Sequence, residues 1–188
     1  MAVTSQQEVN SSEFAFPKSY NFPPFFSFQP NALTRQAQLK KWSTFLQRYC
    51  KHHRIFKLTV IEALESPLFH NMTLKKRLSL KDAKEVIDYM AGKDGDERAE
   101  WLGPDKSEAW IWWRKPEEWA SLIASWVEDT GQKGTVLTLY ELIEGEATEK
   151  QEFYGLDMDV LRKSLNTLVK KGKAQVFGTG DQQGVKFF

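Results

Sequence analysis

The sequence predicts a mainly helical α+β chain with small β-hairpins, built as two similar units in tandem. Three observations carry this. One order of elements (helix, short strand, helix, helix, β-hairpin) is read twice, each time in about 80 residues. The segments LTVIEALE (Leu58 to Glu65) and LTLYELIE (Leu137 to Glu144) match at Leu, Thr and both Glu positions. Each unit carries apolar stripes at helical spacing followed by a turn-rich, strand-like pair. A three-helix core ending in a β-hairpin is a winged helix, so two tandem winged-helix domains are expected, over 31–113 and 114–188.

Residues 1–19 begin polar and lack periodicity, and read as a mobile tail. The segment NFPPFFSFQP (Asn21 to Pro30) then places three prolines and four phenylalanines in ten residues. Residues 20–30 therefore suit neither a helix nor a central strand. Asn31 follows as a plausible helix N-cap, and Leu39, Trp42, Leu46, Tyr49, Cys50 and His53 form one stripe. Phe56 to Thr59 reads as a short strand, with Thr59 as N-cap of the next helix and Pro67 ending that piece. Ser79 caps a further helix that closes near Gly92, with Val86, Ile87 and Met90 inward. KDGDE is a turn. The run around Trp101 and AWIWW, separated by GPDKSE, read as a hairpin.

The pattern then restarts. Pro116 sits at the first position of a helix whose first turn holds Glu117 and Glu118, which complements the dipole. Trp119, Leu122, Ile123, Trp126 and Val127 are its apolar stripe. TVLTLYELIEGE reads as strand then short helix. Asp157 caps a last helix with Val160, Leu161, Leu165, Leu168 and Val169 inward. The chain closes on a hairpin whose loop, Gly178 to Gly184, holds three glycines.

Hydrophobic residues make up 41% and aromatics 13%, enough for a core and against disorder. Six of the seven tryptophans fall between Trp101 and Trp126, a pattern of core or interface. Net charge is +1, so nothing requires a polyanionic partner. The single Cys50 forms no intrachain disulfide and fits a reducing setting. The opening MAVTSQQEVNSSEFAF lacks a basic n-region and an apolar run, so no secretory signal is expected. No run of about 18 apolar residues predicts a membrane span. A cytoplasmic chain is expected, in which the Asn-x-Ser/Thr matches at Asn10 and Asn71 are chance.

Catalytic motifs are missing from the sequence: no phosphate loop ending in Lys-Ser/Thr, no Gly-x-Ser-x-Gly, no His-Glu-x-x-His. GTGDQQG has glycines, but at the wrong spacing for a phosphate loop and inside the expected wing, where they supply the positive φ that a tight hairpin needs. His52, His53 and His70 with one distant cysteine make no zinc set. No enzyme, catalytic residue, metal or cofactor is expected. For DNA, the third helix of the first unit presents Lys81, Asp82, Lys84, Glu85 and Asp88, whose carboxylates repel phosphate. The equivalent helix of the second unit presents Arg162, Lys163, Asn166, Lys170 and Lys171, a face able to meet a phosphate backbone or simply solvent. A winged-helix DNA-binding or transcription-associated protein is thus the alternative reading. For protein binding, Pro23 and Pro24 pre-extend the chain, which lowers the entropy lost on docking. Phe25, Phe26 and Phe28 then fit either pockets of a partner or, as a strap, the first helix of their own chain.

Taken together, FPPFFSFQPN, TRQAQL, ESPLF, WRKPEEW, TLYEL, GLD and the terminal GVKFF run in order from about Tyr20 to Phe188. In them the chain resembles the small subunit of ESCRT-II, the vacuolar protein sorting 25 family. GKDGDERAEW (Gly92 to Trp101) is longer than that family's usual turn. The resemblance implies two tandem winged helices and a scaffold of endosomal sorting. Two copies would attach to the larger subunits of the vacuolar sorting 22 and 36 kinds, through Pro23, Pro24, Phe25 and Phe26, with Phe28 beside them. The second winged helix would recruit the ESCRT-III subunit of the vacuolar sorting 20 kind, with Leu137, Leu139 and Tyr140 as the surface to inspect. It further implies sorting of ubiquitylated cargo into multivesicular endosomes by a cytoplasmic protein that reaches membranes only indirectly.

Overall fold

A computed structural model describes residues 13–188. Two 3-10 turns, Lys18–Asn21 and Pro23–Phe26, precede the first domain. That domain comprises α1 (Ala32–His52), β1 (Lys57–Thr59), α2 (Val60–Glu65), β2 (His70–Asn71), β3 (Lys76–Arg77), α3 (Leu80–Ala91), β4 (Ala99–Trp101) and β5 (Glu108–Ile111). The second comprises α4 (Pro116–Asp129), β6 (Val136–Thr138), α5 (Leu139–Glu144), α6 (Met158–Lys170), β7 (Ala174–Phe177) and β8 (Gly184–Phe187). The same order of helices, strand and hairpin therefore occurs twice. In each domain the strand before the second helix joins the wing, giving antiparallel sheets of order β1-β5-β4 and β6-β8-β7. The small β2–β3 hairpin is new, because two residues per strand leave no periodicity to read.

Local chemistry starts most helices where the residues suggest. The Asn31 side chain accepts from the Thr34 N–H at 3.1 Å, and the Ser79 hydroxyl from Asp82 at 3.1 Å. Asp157 accepts from Asp159 at 2.8 Å and Val160 at 3.2 Å. Thr138 and Glu141 cap each other reciprocally at 3.0 and 2.7 Å. Thr59 departs from expectation and makes no side-chain cap. Its hydroxyl turns to Glu108 at 3.3 Å, and the Val60 N–H is taken by the Ser107 carbonyl at 2.9 Å. In the KDGDE turn, a Cβ on Gly95 would lie 2.1 Å from the Tyr89 carbonyl oxygen, so only glycine fits there.

The core forms two clusters that meet at β5. Ala109 and Ile111 face the first core, whereas Trp110 and Trp112 belong to the second. The AWIWW strand is therefore buried on both faces, and the first domain's sheet is covered by the second domain. Trp110 and Trp112 stack at 5.5 Å, and Trp113 stacks on Phe56 at 5.4 Å while meeting Trp119 edge-on at 5.3 Å. Arg54 completes the junction: its guanidinium lies 5.4 to 6.0 Å from the rings of Phe56, Trp113 and Trp119. It also donates to the carbonyls of Glu152 at 3.1 Å and Tyr154 at 2.8 Å in the second domain. A boundary between residues 113 and 114 therefore does not separate two independent cores.

Three expectations are corrected in detail. His53 is exposed as the C-cap of α1 rather than part of its stripe, and Val169 is 37% exposed beyond the inner face of α6. The expected tail over 1–19 is packed from Phe14 onward; residues 1–12 lie outside the described residues. The Phe14 ring stacks on Phe45 at 6.1 Å, and Phe16 stacks on Tyr20 at 4.4 Å. The rings of Phe14, Phe16 and Tyr20 find partners in Phe45 and Tyr49 of α1.

Candidate docking site

The Pro/Phe segment is a strap laid across α1, and it divides its residues between two sides. Pro23 and Pro24 open a 3-10 turn, so successive side chains leave it in different directions. Phe25 and Phe26 point inward and are 3% and 4% exposed. The Phe25 ring stacks on Trp42 at 4.2 Å with planes 4° apart, and Phe26 meets the same indole edge-on at 5.6 Å. Polar groups fix the backbone: the Trp42 Nε1–H donates to the Phe25 carbonyl at 3.0 Å. Gln38 Nε2 donates to the carbonyls of Pro24 at 3.1 Å and Ser27 at 3.2 Å, while its Oε1 accepts from the Gln29 N–H at 2.9 Å.

The other end of the strap is held by the ESPLF loop. The Tyr20 hydroxyl donates to the Pro67 carbonyl at 2.6 Å and to that of His70 at 3.1 Å. Asn71 Nδ2 donates to the Tyr20 carbonyl at 2.8 Å. Burial, with the nearby Tyr49, pushes the Tyr20 phenol up to about 12, so it remains a donor at any physiological pH. Asn71 is itself buried, which gives its Asn-x-Thr match a packing role.

What remains on the surface is a ridge. Phe22 is 60% exposed, Pro23 and Pro24 are exposed, and Phe28 is half-buried under Arg35, whose guanidinium lies 5.4 Å from its ring. Arg35 in turn pairs with Glu85 on α3. Of the two expectations for Phe25 and Phe26, partner pockets or a strap on their own first helix, the isolated chain adopts the strap: both rings pack against α1. Phe22, left out of the sequence reading, is the aromatic ring that the strap presents.

In the second domain, Leu137 and Leu139 are 9% and 3% exposed and belong to the core, so neither is a free surface side chain. Leu139 is the first residue of α5, so it does not share a strand face with Leu137. Tyr140 at 58% exposure and Val136 at 56% are the apolar groups standing outside, beside the edge strand β6. Behind them lies a groove of about 330 Å³ floored by Trp126, Leu137 and Leu142 and rimmed by Glu141. The face suggested for DNA is partly occupied: Arg162 donates to Gln183 at 2.8 Å and pairs with Asp159 at 3.2 Å, and Lys163 lies 3.6 Å from Glu100.

The family model for the ESCRT-II complex subunit matches residues 19–157. The chain belongs to the ESCRT-II complex subunit family. Within that family it is 45% identical to vacuolar protein-sorting-associated protein 25 of Danio rerio, over 93% of this chain and 99% of the relative. The protein of the same name from Dictyostelium discoideum is 37% identical over 96% of this chain and 99% of its own length. Among solved structures, subunit VPS25 of the endosomal trafficking complex ESCRT-II superposes with a TM-score of 0.81 at 27% identity, covering 92% of this chain and 98% of that one. A second match, TM-score 0.79 at 28% identity over 92% and 98% of the two chains, comes from the ESCRT-II complex described as VPS22/VPS25/VPS36. Tandem winged helices and a place in vacuolar protein sorting are thus properties of this chain as a member of the ESCRT-II family, and the DNA-binding alternative is not favoured.

Proposed function

We propose that this chain is a non-enzymatic scaffold arm of ESCRT-II: it docks on larger subunits of the VPS22 and VPS36 kinds by its N-terminal strap, and its second winged helix recruits ESCRT-III. The observation that carries the docking half is the strap itself. An exposed Phe22-Pro23-Pro24 ridge stands on a segment anchored by Tyr20, Phe25, Phe26 and Gln38, so it is offered to a partner already ordered. Pre-ordering removes the entropy cost that a free Pro/Phe tail would incur on binding. Two such arms on one complex raise the effective concentration of recruiting sites for an ESCRT-III subunit of the vacuolar sorting 20 kind. Recruitment is assigned to the Tyr140 and Val136 surface with the groove behind it, where one aromatic and one aliphatic side chain stand in solvent beside an unpaired strand edge. In this role the chain serves cargo sorting at endosomes as a peripheral protein.

The test is titration of the full chain against both classes of partner. Phe22→Ala with Pro24→Ala weakens binding to the larger subunits at least tenfold and leaves ESCRT-III binding unchanged; Tyr140→Ala does the reverse. Neither changes the melting temperature appreciably, because both sites are exposed. Binding to the larger subunits that survives the ridge double variant sinks the docking assignment.

A further inference from the structure

We infer that the outer face of α1 is a contact surface for an anionic bilayer, which goes beyond the docking and recruitment roles and does not depend on them. The helix carries Arg35, Lys40, Lys41, Arg48 and Lys51 and neither Asp nor Glu along its 21 residues. The chain as a whole has a net charge of +1, so the rest of it is net acidic and the positive charge is concentrated here. Arg35 faces inward to Glu85. Lys40, Lys41, Lys51 and the neighbouring Lys18 of the first 3-10 turn have no carboxylate in ion-pair reach among the described residues. Among the described residues Arg48 is engaged with the Ala15 carbonyl at 3.3 Å and the Phe14 ring at 5.9 Å.

The pattern is spatially continuous. Leu33, Lys40, Thr44 and Lys51 recur at steps of seven and four, which is one line along the helix. Lys40 to Lys51 spans about 16 Å at 1.5 Å per residue. Leu33, 82% exposed, is the apolar member of that line. Beside it a groove of about 350 Å³ separates α1 from the Pro17–Ser19 turn, with Phe45, Ala37 and Pro17 as apolar lining and Lys40, Lys41 and Arg48 at its rim. Cations around an apolar floor suit a phospholipid headgroup and the start of its acyl chains.

Four of the five outward cations are lysines. Lysine is a flexible point charge, and it fits a laterally mobile array of headgroups better than the fixed carboxylate geometry that arginine forks recognise. The face is also a convex helix surface, which meets a plane along its length. This proposal departs from the expectation that membrane contact is only indirect: no helix of the described residues is long and apolar enough to cross a membrane, and the contact inferred for α1 is with the surface of one.

The test is vesicle co-sedimentation of the full chain, with phosphatidylcholine vesicles alone and with phosphatidylserine added. The chain partitions to the anionic vesicles only, and added salt weakens it. Lys40→Ala, Lys41→Ala and Lys51→Ala together lower the partition coefficient roughly 100-fold, about fivefold per lysine. These ammonium groups hold no hydrogen bond among the described residues, so the melting temperature of the triple variant stays within about 2 °C of the parent. Lys170→Ala, Lys171→Ala and Lys173→Ala remove equal charge from the second domain and leave partitioning intact. Equal loss in both triple variants, or no partition to anionic vesicles, overturns the proposal. So does capture of a polyglutamate peptide or inositol hexakisphosphate without vesicle binding, which assigns the face to a soluble anion.

Discussion

Phe25→Ala separates the strap from a partner-held tail most sharply. Phe25 is 3% exposed and stacked at 4.2 Å on an indole that is itself fully buried. Truncation removes the ring and opens a cavity against Trp42, at a cost of about 3–5 kcal/mol for a buried Phe→Ala change. For a chain of this size, each kcal/mol lowers Tm by about 2–4 °C, so the isolated chain should melt roughly 6–20 °C earlier. Phe22→Ala, at 60% exposure, removes the same number of atoms from the same segment and should cost less than about 0.5 kcal/mol. The assay is thermal unfolding of both purified variants by near-ultraviolet circular dichroism, which also reports the environment of Trp42. If Phe25→Ala melts with the parent, the ring does not hold the fold, and the reasoning from burial and stacking is refuted.

Three further outcomes follow from other parts of the molecule. Arg54→Ala removes two hydrogen bonds to the second domain and contacts with three rings at the junction, of which Trp119 lies across it; it should cost about 1–2 kcal/mol and broaden the interdomain distance distribution measured by spin-label spectroscopy. Burial would raise the Glu118 carboxyl, yet hydrogen bonds from Arg98 and the Lys115 backbone hold it below its ordinary value of 4.5; Lys115 and Arg98 likewise depress Asp96. A depressed carboxylate stabilises the fold above its unfolded pKa and loses that contribution as pH falls through the folded one, so urea midpoints should fall below about pH 4.5 and Glu118→Gln should flatten that acid limb. Cys50 is fully buried, which pushes its thiol up to about 12; a thiol reagent at pH 8 should modify it only after unfolding, and rapid labelling of the native chain would contradict its place in the core.

Element order was legible because α1, α3 and α6 each announce themselves twice, by a cap (Asn31, Ser79, Asp157) and by a 3.6-residue stripe. The direction of the Pro/Phe segment was not. Prolines set an extended or turning backbone but leave open which rings face home, and that depends on Trp42 and Gln38, more than ten residues further on. The signal for the junction was present in AWIWW: apolar residues at every position mark a strand buried on both faces. That run places two tryptophans under the second domain, so the wing of the first domain is also part of its partner's core. Leu137 and Leu139 misled because a strand-like alternation ends at Thr138, where a capping box turns the chain into α5. Arg54 has no local pattern at all; its role exists only once Phe56, Trp113 and Trp119 come together.

The central claim is that an ordered strap presents the Phe22-Pro23-Pro24 ridge to the larger ESCRT-II subunits. Native mass measurement of the complex, co-expressed with subunits of the VPS22 and VPS36 kinds, tests it most directly. The account predicts two copies of this chain with one of each larger subunit for the parent. It predicts neither copy for Phe22→Ala with Pro24→Ala, although that variant remains folded. A full two-copy complex from the ridge variant, or no complex from the parent chain, would contradict it.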